Sequence, residues 1–286
     1  MTMDFLQIDV FTRRPFEGNP LAVFPEAQGL SARQMQSIAS EMNLSETTFV
    51  MDVEEDAYTV RIFTPNEELP FAGHPTIGTA WVLKQLGRVQ GDEIRQHSRA
   101  GITPVRWHDG HLWFERSGQV SDDLEAREPD ANRRLARALG LDEDQIGLEA
   151  RELGRSGRLR PAWVDVGVNE LMIPVRDLAA LERSYPVASL GDEGIGVYCV
   201  TAAGAGQLRA RGFFGDVGMI EDPATGSGAA GLGLYLADRT GDISFELAQG
   251  IEMGRPSRIL VRARKGVVEV GGRCEAVLRG TLEVLP

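Results

Sequence analysis

Residues 61–87, RIFTPNEELPFAGHPTIGTAWVLKQLG, are answered later in the chain by residues 211–241, RGFFGDVGMIEDPATGSGAAGLGLYLADRTG. Arg61 aligns with Arg211, Phe63 with Phe213, Gly73 with Gly226, Gly78 with Gly231 and Leu83 with Leu236, the second copy carrying three extra loop residues. Each copy reads as a strand, a polar loop and a helix that opens on Gly-His-Pro or Gly-Ser-Gly. Neither helix has a charged face, and a helix apolar all round is a buried one. Glycine inside a helix costs roughly 1 kcal/mol relative to alanine, so Gly78, Gly231 and Gly233 point to close backbone approach. Pro75 suits the first helical position, and Ser227 is placed to cap. Free backbone N–H groups and the positive end of the dipole make such starts anion sites. Two buried helices with facing starts predict one pocket for a small acid.

The chain has 286 residues, enough for two domains with ample core, and the repeat favours two similar halves. With 42% apolar and 25% charged residues it has the composition of a soluble globular protein. No run of about 18 apolar residues marks a membrane span. The opening MTMDFLQIDVFTRRPF lacks the pattern of a secretory signal, so a cytoplasmic location is expected. Cys199 and Cys274 have neither disulfide-framework nor metal-like spacing. The net charge of −12 argues against a nucleic-acid surface, since it repels phosphate. A local pocket can still oppose that sign for an anionic small molecule.

Strands are expected at 5–11 and 21–24. The sequence Ser31-Ala32-Arg33-Gln34 fits a capping box opening a helix through Met42. Further strands are expected at 58–63, 103–107 and 112–115, the last two meeting at an Asp109-Gly110 hairpin tip. Residues 121–130 are acidic and poor in apolar side chains. The domain boundary is placed there, giving halves 1–120 and 121–286, with the last strand able to rejoin the first half. A basic amphipathic helix at 131–139, closed by Gly140, is followed by strands at 163–168, 171–175 and 196–201, and by a helix at 177–183. Strands outnumber helices at hairpin spacings, so the expected class is α+β, mostly antiparallel sheet curled round each buried helix, rather than a doubly wound parallel sheet.

Glu46 follows Ser45 in an otherwise uncharged stretch, 42–51. Apolar surroundings raise a carboxylate's pKa and suit it to acid/base work near neutrality; the plainer reading is a solvated strand-end glutamate. His74, between Gly73 and Pro75, is placed to hydrogen-bond a substrate or a catalytic carboxylate, or to be a satisfied core histidine. Asp222 precedes the second buried helix, where an acid stabilises the dipole without any chemistry; the repeat brings it to the mouth equivalent to that of His74. His108 and His111 have a metal-like spacing that the hairpin tip explains better, and no metal site is expected. Residues 226–231, GSGAAG, formally match the dinucleotide pattern G-x-G-x-x-G, but the preceding EDPAT is no buried parallel strand and no cofactor is expected.

IDVFTRRPFEGNPLAVF, MNLSETTFV, RIFTPNEELPFAGHPTIGTAW, EDPATGSGAAGLGLYL and QGIEMGRPS resemble, in order and separation, the phenazine-biosynthesis isomerase (PhzF-like) family within the diaminopimelate-epimerase fold. The resemblance implies two similar domains, each a barrel-like sheet around a central helix, an active site between them, no cofactor and a homodimer. It places the acid/base glutamate on Glu46, its partners on His74 and Asp222, and substrate-carboxylate binding on Gly73, Gly226 and Ser227. Asn19 and Ser45 match motif positions with less defined binding roles. Racemases and epimerases of the same fold use a cysteine at each helix start; here those starts read Gly73-His74 and Gly226-Ser227.

The leading expectation is thus a cofactor-independent isomerase moving a proton on a small cyclic or unsaturated carboxylic acid. A thiol-dependent amino-acid racemase or epimerase and a non-catalytic small-acid binding protein are the alternatives. Arg255, in GRPS, either lines the cleft or braces a hairpin.

Overall fold

The computed structural model of the chain describes residues 2–186, 196–204, 206–214 and 219–283. It is a mixed α+β structure of many strands and few helices. The chain divides into two compact units, residues 1–115 with 270–286 and residues 116–269; the expected boundary at 120/121 lies shortly after this change of unit.

The first unit runs β1 (Met3–Val10), β2 (Asn19–Phe24), α1 (Ala32–Met42), β3 (Glu46–Val53), β4 (Ala57–Phe63), β5 (Glu68–Leu69), α2 (Gly73–Gln85), β6 (Glu93–Ser98), β7 (Gly101–His108) and β8 (His111–Ser117), within which the unit ends. The expected capping box opens α1: the Ser31 hydroxyl accepts from Gln34 N, the Gln34 side chain accepts from Ser31 N, and left-handed Asn43 (φ 51°) closes the helix. Its buried Met35, Ile38 and Ala39 pack with Phe24, Phe49 and Phe63. The β7–β8 hairpin turns at Asp109 (φ 52°) and Gly110 (φ 70°), the two positive angles that a tight turn between twisted strands requires.

The second unit contains β9 (Gln119–Asp123), α3 (Leu124–Arg127), α4 (Ala131–Leu139), β10 (Leu148–Glu149), β11 (Arg158–Leu159), β12 (Ala162–Asp165), β13 (Asn169–Pro174), α5 (Leu178–Arg183), β14 (Gly196–Gly204), β15 (Gln207–Phe214), β16 (Met219–Asp222), α6 (Gly226–Thr240), β17 (Ile243–Ala248), β18 (Ile259–Arg264) and the start of β19 (Val267–Gly272), within which the unit ends. The last strand, β20 (Cys274–Leu282), pairs antiparallel with β1 in the first unit. The acidic stretch at which the boundary was expected forms part of β9, all of α3 and the approach to α4, with Leu124 buried.

One order of pairing occurs in both units. In the first, β2 is parallel to β3, β3 antiparallel to β4, β4 antiparallel to β5 and parallel to β6, and β6 antiparallel to β7. In the second, β13, β14, β15, β16, β17 and β18 repeat that order and sense. Antiparallel pairs predominate, as expected. The parallel pairs were not expected; each is bridged by a segment containing a helix, which a parallel connection needs. Side chains repeat too: Arg61 grips Glu68 and Arg211 grips Glu221 through paired Nε and Nη2 bonds of 2.6–2.8 Å. Each guanidinium also lies over its phenylalanine, Phe63 at 5.2 Å and Phe213 at 5.1 Å.

α2 is buried at every residue from 73 to 80 and packs on β1, β2, β3, β6, β7 and β20. α6 is buried along 228–237 against β9, β12, β13, β17 and β18. The glycines mark the close approaches. A Cβ on Gly78 would lie 2.5 Å from Leu21 Cδ2, and one on Gly233 2.7 Å from Val261 Cγ1. Two cap expectations are corrected. α2 begins at Gly73 after extended Ala72, so Pro75 is the third helical residue; α6 begins at Gly226 with Thr225 as N-cap, so Ser227 lies inside the first turn and does not cap. In both cases the glycine accepts the helical conformation earlier than the cap residue types suggested.

A Cβ on Gly228 would stand 2.7, 2.8 and 3.1 Å from ring atoms of Tyr198, a rigid and fully buried neighbour. Overpacking of this kind costs about 1–3 kcal/mol, partly offset by about 1 kcal/mol of helix propensity. Gly228→Ala is therefore expected to lower stability by roughly 1–2 kcal/mol in urea unfolding; an unchanged midpoint would show the helix able to shift.

Candidate active site

In the first unit, the parallel pairing of β2 with β3 puts Leu21 beside Glu46, so the carboxylate leaves the sheet at the very start of β3. The N-terminal turn of α2 supplies His74, which is 3% exposed, and Asn19 at the start of β2 is wholly buried. These three meet at one atom. His74 Nδ1 lies 3.3 Å from Glu46 Oε2 and 3.2 Å from Asn19 Nδ2. Ser45 is buried next to Glu46 in the chain, and Gly73 is the buried first residue of α2.

Burial fixes the charge of that histidine. Desolvation drives His74 down to about 3, a Pro20 carbonyl pulling weakly the other way, so the ring is neutral at physiological pH. Its contact with Glu46 is then an approach of polar atoms rather than an ion pair. The tautomer decides what Nδ1 can exchange: with a hydrogen it can donate toward a Glu46 carboxylate, and without one its single lone pair can accept from Asn19 Nδ2 or from a Glu46 acid. The Glu46 side chain is 16% exposed, held against the protein yet open to an incoming ligand.

The second unit holds Asp222 at the end of β16, 6% exposed, with its Oδ2 accepting from Thr225 Oγ1 at 2.6 Å. Gln249, fully sequestered after β17, ties this corner together. Its Nε2 donates to Asp222 O (2.7 Å) and Thr225 Oγ1 (2.9 Å), while its Oε1 accepts from Tyr198 Oη (2.6 Å) and Thr225 N (3.0 Å). Gly226 is buried and Ser227 half-buried at the start of α6. The strand leading directly into this start, β16, is antiparallel to β15, unlike the parallel strand that opens onto the helix in a dinucleotide fingerprint. Among the described residues no cluster of three or more His, Cys, Asp or Glu side chains could hold a metal ion.

Sequence reasoning missed Thr225, Gln249, Tyr198 and Glu170. Thr225 and Gln249 stood in quoted motifs without a role. Glu170 was left outside a strand expected to begin at residue 171, although a carboxylate beside LMIPV was itself a signal. Arg255 is half-buried in the turn between β17 and β18, where its backbone N–H donates to Gly250 O at 2.9 Å.

Residues 8–280 match the model of the family described as phenazine biosynthesis-like protein. The chain belongs to that family. It is 38% identical to the trans-2,3-dihydro-3-hydroxyanthranilate isomerase of Pseudomonas chlororaphis over 97% of this chain and 98% of that protein. A predicted epimerase of Pseudomonas aeruginosa superposes with a TM-score of 0.82 at 30% identity, covering 99% of each chain. A phenazine biosynthesis protein of Bacillus anthracis gives 0.83 at 23% identity over 99% of this chain and 100% of that one, a likeness of fold. Family membership with isomerase relatives makes this chain an isomerase. No helix among the described residues is long and apolar enough to cross a membrane.

The chain's two thiols are out of play as nucleophiles or bases. Cys199 and Cys274 are buried, Cys199 is pushed up to about 12 by desolvation and Cys274 is raised well above the usual thiol range, so neither forms a thiolate near neutrality.

An unfolded histidine takes up a proton below about pH 6.5, whereas folded His74 resists until about pH 3. The stability held by the neutral ring is complete above the first value and drains away as the pH falls toward the second. The advantage of the native chain over His74→Gln should thus shrink by about 1.4 kcal/mol per pH unit in that window. Urea unfolding at stepped pH reads it, and a constant difference would mean a ring already charged in the fold.

Proposed function

We propose that this isomerase moves a proton between two carbon atoms of a small cyclic or unsaturated carboxylic acid, without a cofactor, with Glu46 as the acid/base. The observation that carries the reading is the Glu46–His74 contact of 3.3 Å at the start of a buried helix. Glu46 as carboxylate takes a proton from a saturated carbon next to the conjugated system. The electron pair spreads into the acid, and Glu46, whose part-exposed carboxyl exchanges its hydrogen with water between the two steps, gives a proton back at another carbon. A double bond has moved and nothing is gained or lost.

His74 holds Glu46 and, being neutral, exchanges a hydrogen bond with it in either protonation state, so the carboxyl is retained throughout the cycle. Asp222, fixed by Thr225 and Gln249, is proposed to orient a polar substituent of the same substrate. The backbone at Gly73, Gly226 and Ser227 would bind the carboxylate, and Asn19 and Ser45 would line the approach. The Pseudomonas relatives named for trans-2,3-dihydro-3-hydroxyanthranilate suggest a ring acid of that kind as the first substrate to try. The two units are proposed to be copies of one design, a barrel-like sheet about a central helix, and the protein a homodimer, which light scattering would size.

Incubation with such acids in deuterated water, followed by mass spectrometry, should show enzyme-dependent label at one carbon. Glu46→Gln is expected to cut turnover by about a hundredfold to ten-thousandfold with little change in binding. A variant that keeps full activity removes Glu46 from the chemistry, and binding with no label at all favours a non-catalytic protein.

A thiol-dependent epimerase is disfavoured by the burial of both cysteines. Iodoacetamide treatment of the folded protein is expected to leave turnover unchanged; loss of activity in step with alkylation would restore that reading.

A further inference from the structure

The two units differ at three matched places, and together the differences single out Glu170. Strand register sets the match. Phe49 faces Arg61 and Cys199 faces Arg211, so Glu46 and Gly196 hold the same place, and their parallel partners Leu21 and Glu170 hold another. The third place is the second helical residue, His74 in α2 and Ser227 in α6. At the Glu46 position the second unit can carry no side chain, because a Cβ on Gly196 would meet the Phe214 ring at 2.2 Å. Its carboxyl comes instead from the neighbouring strand.

Where Leu21 supports the glycine of α2, Glu170 sits beneath α6, its Oε2 3.3 Å from where a Cβ on Gly231 would be. It is 2% exposed, and neither oxygen has a partner of full hydrogen-bond geometry. Ser227 lies one turn before Gly231 on the same face of α6, close enough to act as a donor to the charged form. A fully buried acid at a place where the other unit uses leucine is not there for packing. Leucine would pack as well and would carry no desolvation cost.

We propose that Glu170 is a positioning residue: as the neutral acid it donates to Ser227 Oγ, leaving the serine's own hydrogen for a carboxylate bound at the start of α6. The inference rests on the carboxylate-binding role proposed above for Ser227. Burial is the main cause that lifts Glu170 to about 8, with Asp222 adding repulsion and Ser227 opposing it. Asp222 and Tyr198 are the titratable groups that act on it from the neighbouring elements, and Tyr198 is itself held far above the usual phenol range by burial. Once Glu170 ionises, it becomes the acceptor for the Ser227 hydrogen and a negative charge beneath an anion site. Both effects turn a carboxylate away.

The test uses the full chain and anthranilate, a fluorescent ring carboxylate, as the probe, on the acid and alkaline sides of about pH 8. Wild-type Kd should be flat on the acid side and rise by about tenfold per pH unit on the alkaline side. Glu170→Gln, still a donor but unable to ionise, should bind like the wild type at low pH and stay flat. Glu170→Leu, which copies the first unit, should fold but bind more weakly at every pH. Infrared difference spectra of wild type against Glu170→Gln should show the protonated-acid carbonyl band vanish over the same range.

If the band titrates there but all three proteins bind alike, Glu170 is a buried acid without influence on the site and the proposal fails alone. If anthranilate binds wild type equally well with Ser227→Ala, or does not bind at any pH, the carboxylate-binding role of Ser227 falls and takes this inference with it.

Discussion

A helix with no charged face has to be covered on every side, and in this chain that demand is made twice. α2 and α6 meet it by packing against strands on several sides, with glycines where the strands come closest. Covering the flank of such a helix leaves its first turn as the one place where polar backbone reaches out of the apolar interior. The side chains gathered at those first turns are therefore forced into low-dielectric surroundings. Their protonation states follow from burial before any substrate is considered.

Desolvation sorts the titratable groups by what each could do. It keeps Cys199 and Cys274 as thiols, His74 as a neutral ring and Tyr198 as a phenol. Glu46, by contrast, is part-exposed at a strand end and shares its contact with a ring that can donate or accept. Burial thus takes both thiols of this chain out of acid/base use near neutrality. Likeness of fold alone would not have told this, because chemistry is set by the site and not by the scaffold.

Much of the fold was legible because its signals were local. The capping box at Ser31, the Asp109-Gly110 turn and the glycine closing α4 each act through a few neighbouring residues. The repeat was legible because Arg61 and Arg211 keep the same bidentate partner and the same ring beneath. Among the candidate site residues, Glu46, His74 and Asn19 could be named from motifs, and they converge on one ring nitrogen. Gln249 and Tyr198 could not be assigned roles, since their bonds to Thr225 and to each other join segments about β14, α6 and β17. The parallel strand pairs escaped for a related reason: hairpin spacing reports only neighbours in sequence, whereas a parallel neighbour arrives after a crossover.

The two units share one order and sense of strand pairing, and they part at places where ionisable groups stand. Where the copies agree, at the arginine clamps and the helix glycines, the residues hold structure. Three matched places differ: Glu46 against Gly196, Glu170 against Leu21, and the imidazole of His74 against the hydroxyl of Ser227. Each copy brings a carboxyl close to the second residue of its helix from adjacent strands, Glu46 in the first and Glu170, with Asp222 nearby, in the second. In the first copy that carboxyl is part-exposed at a strand end beside a ring that takes or gives a hydrogen bond; in the second it is sealed beneath a hydroxyl. Exposure separates a group able to trade protons with a ligand from one that can only set the direction of its neighbour's hydrogen bond.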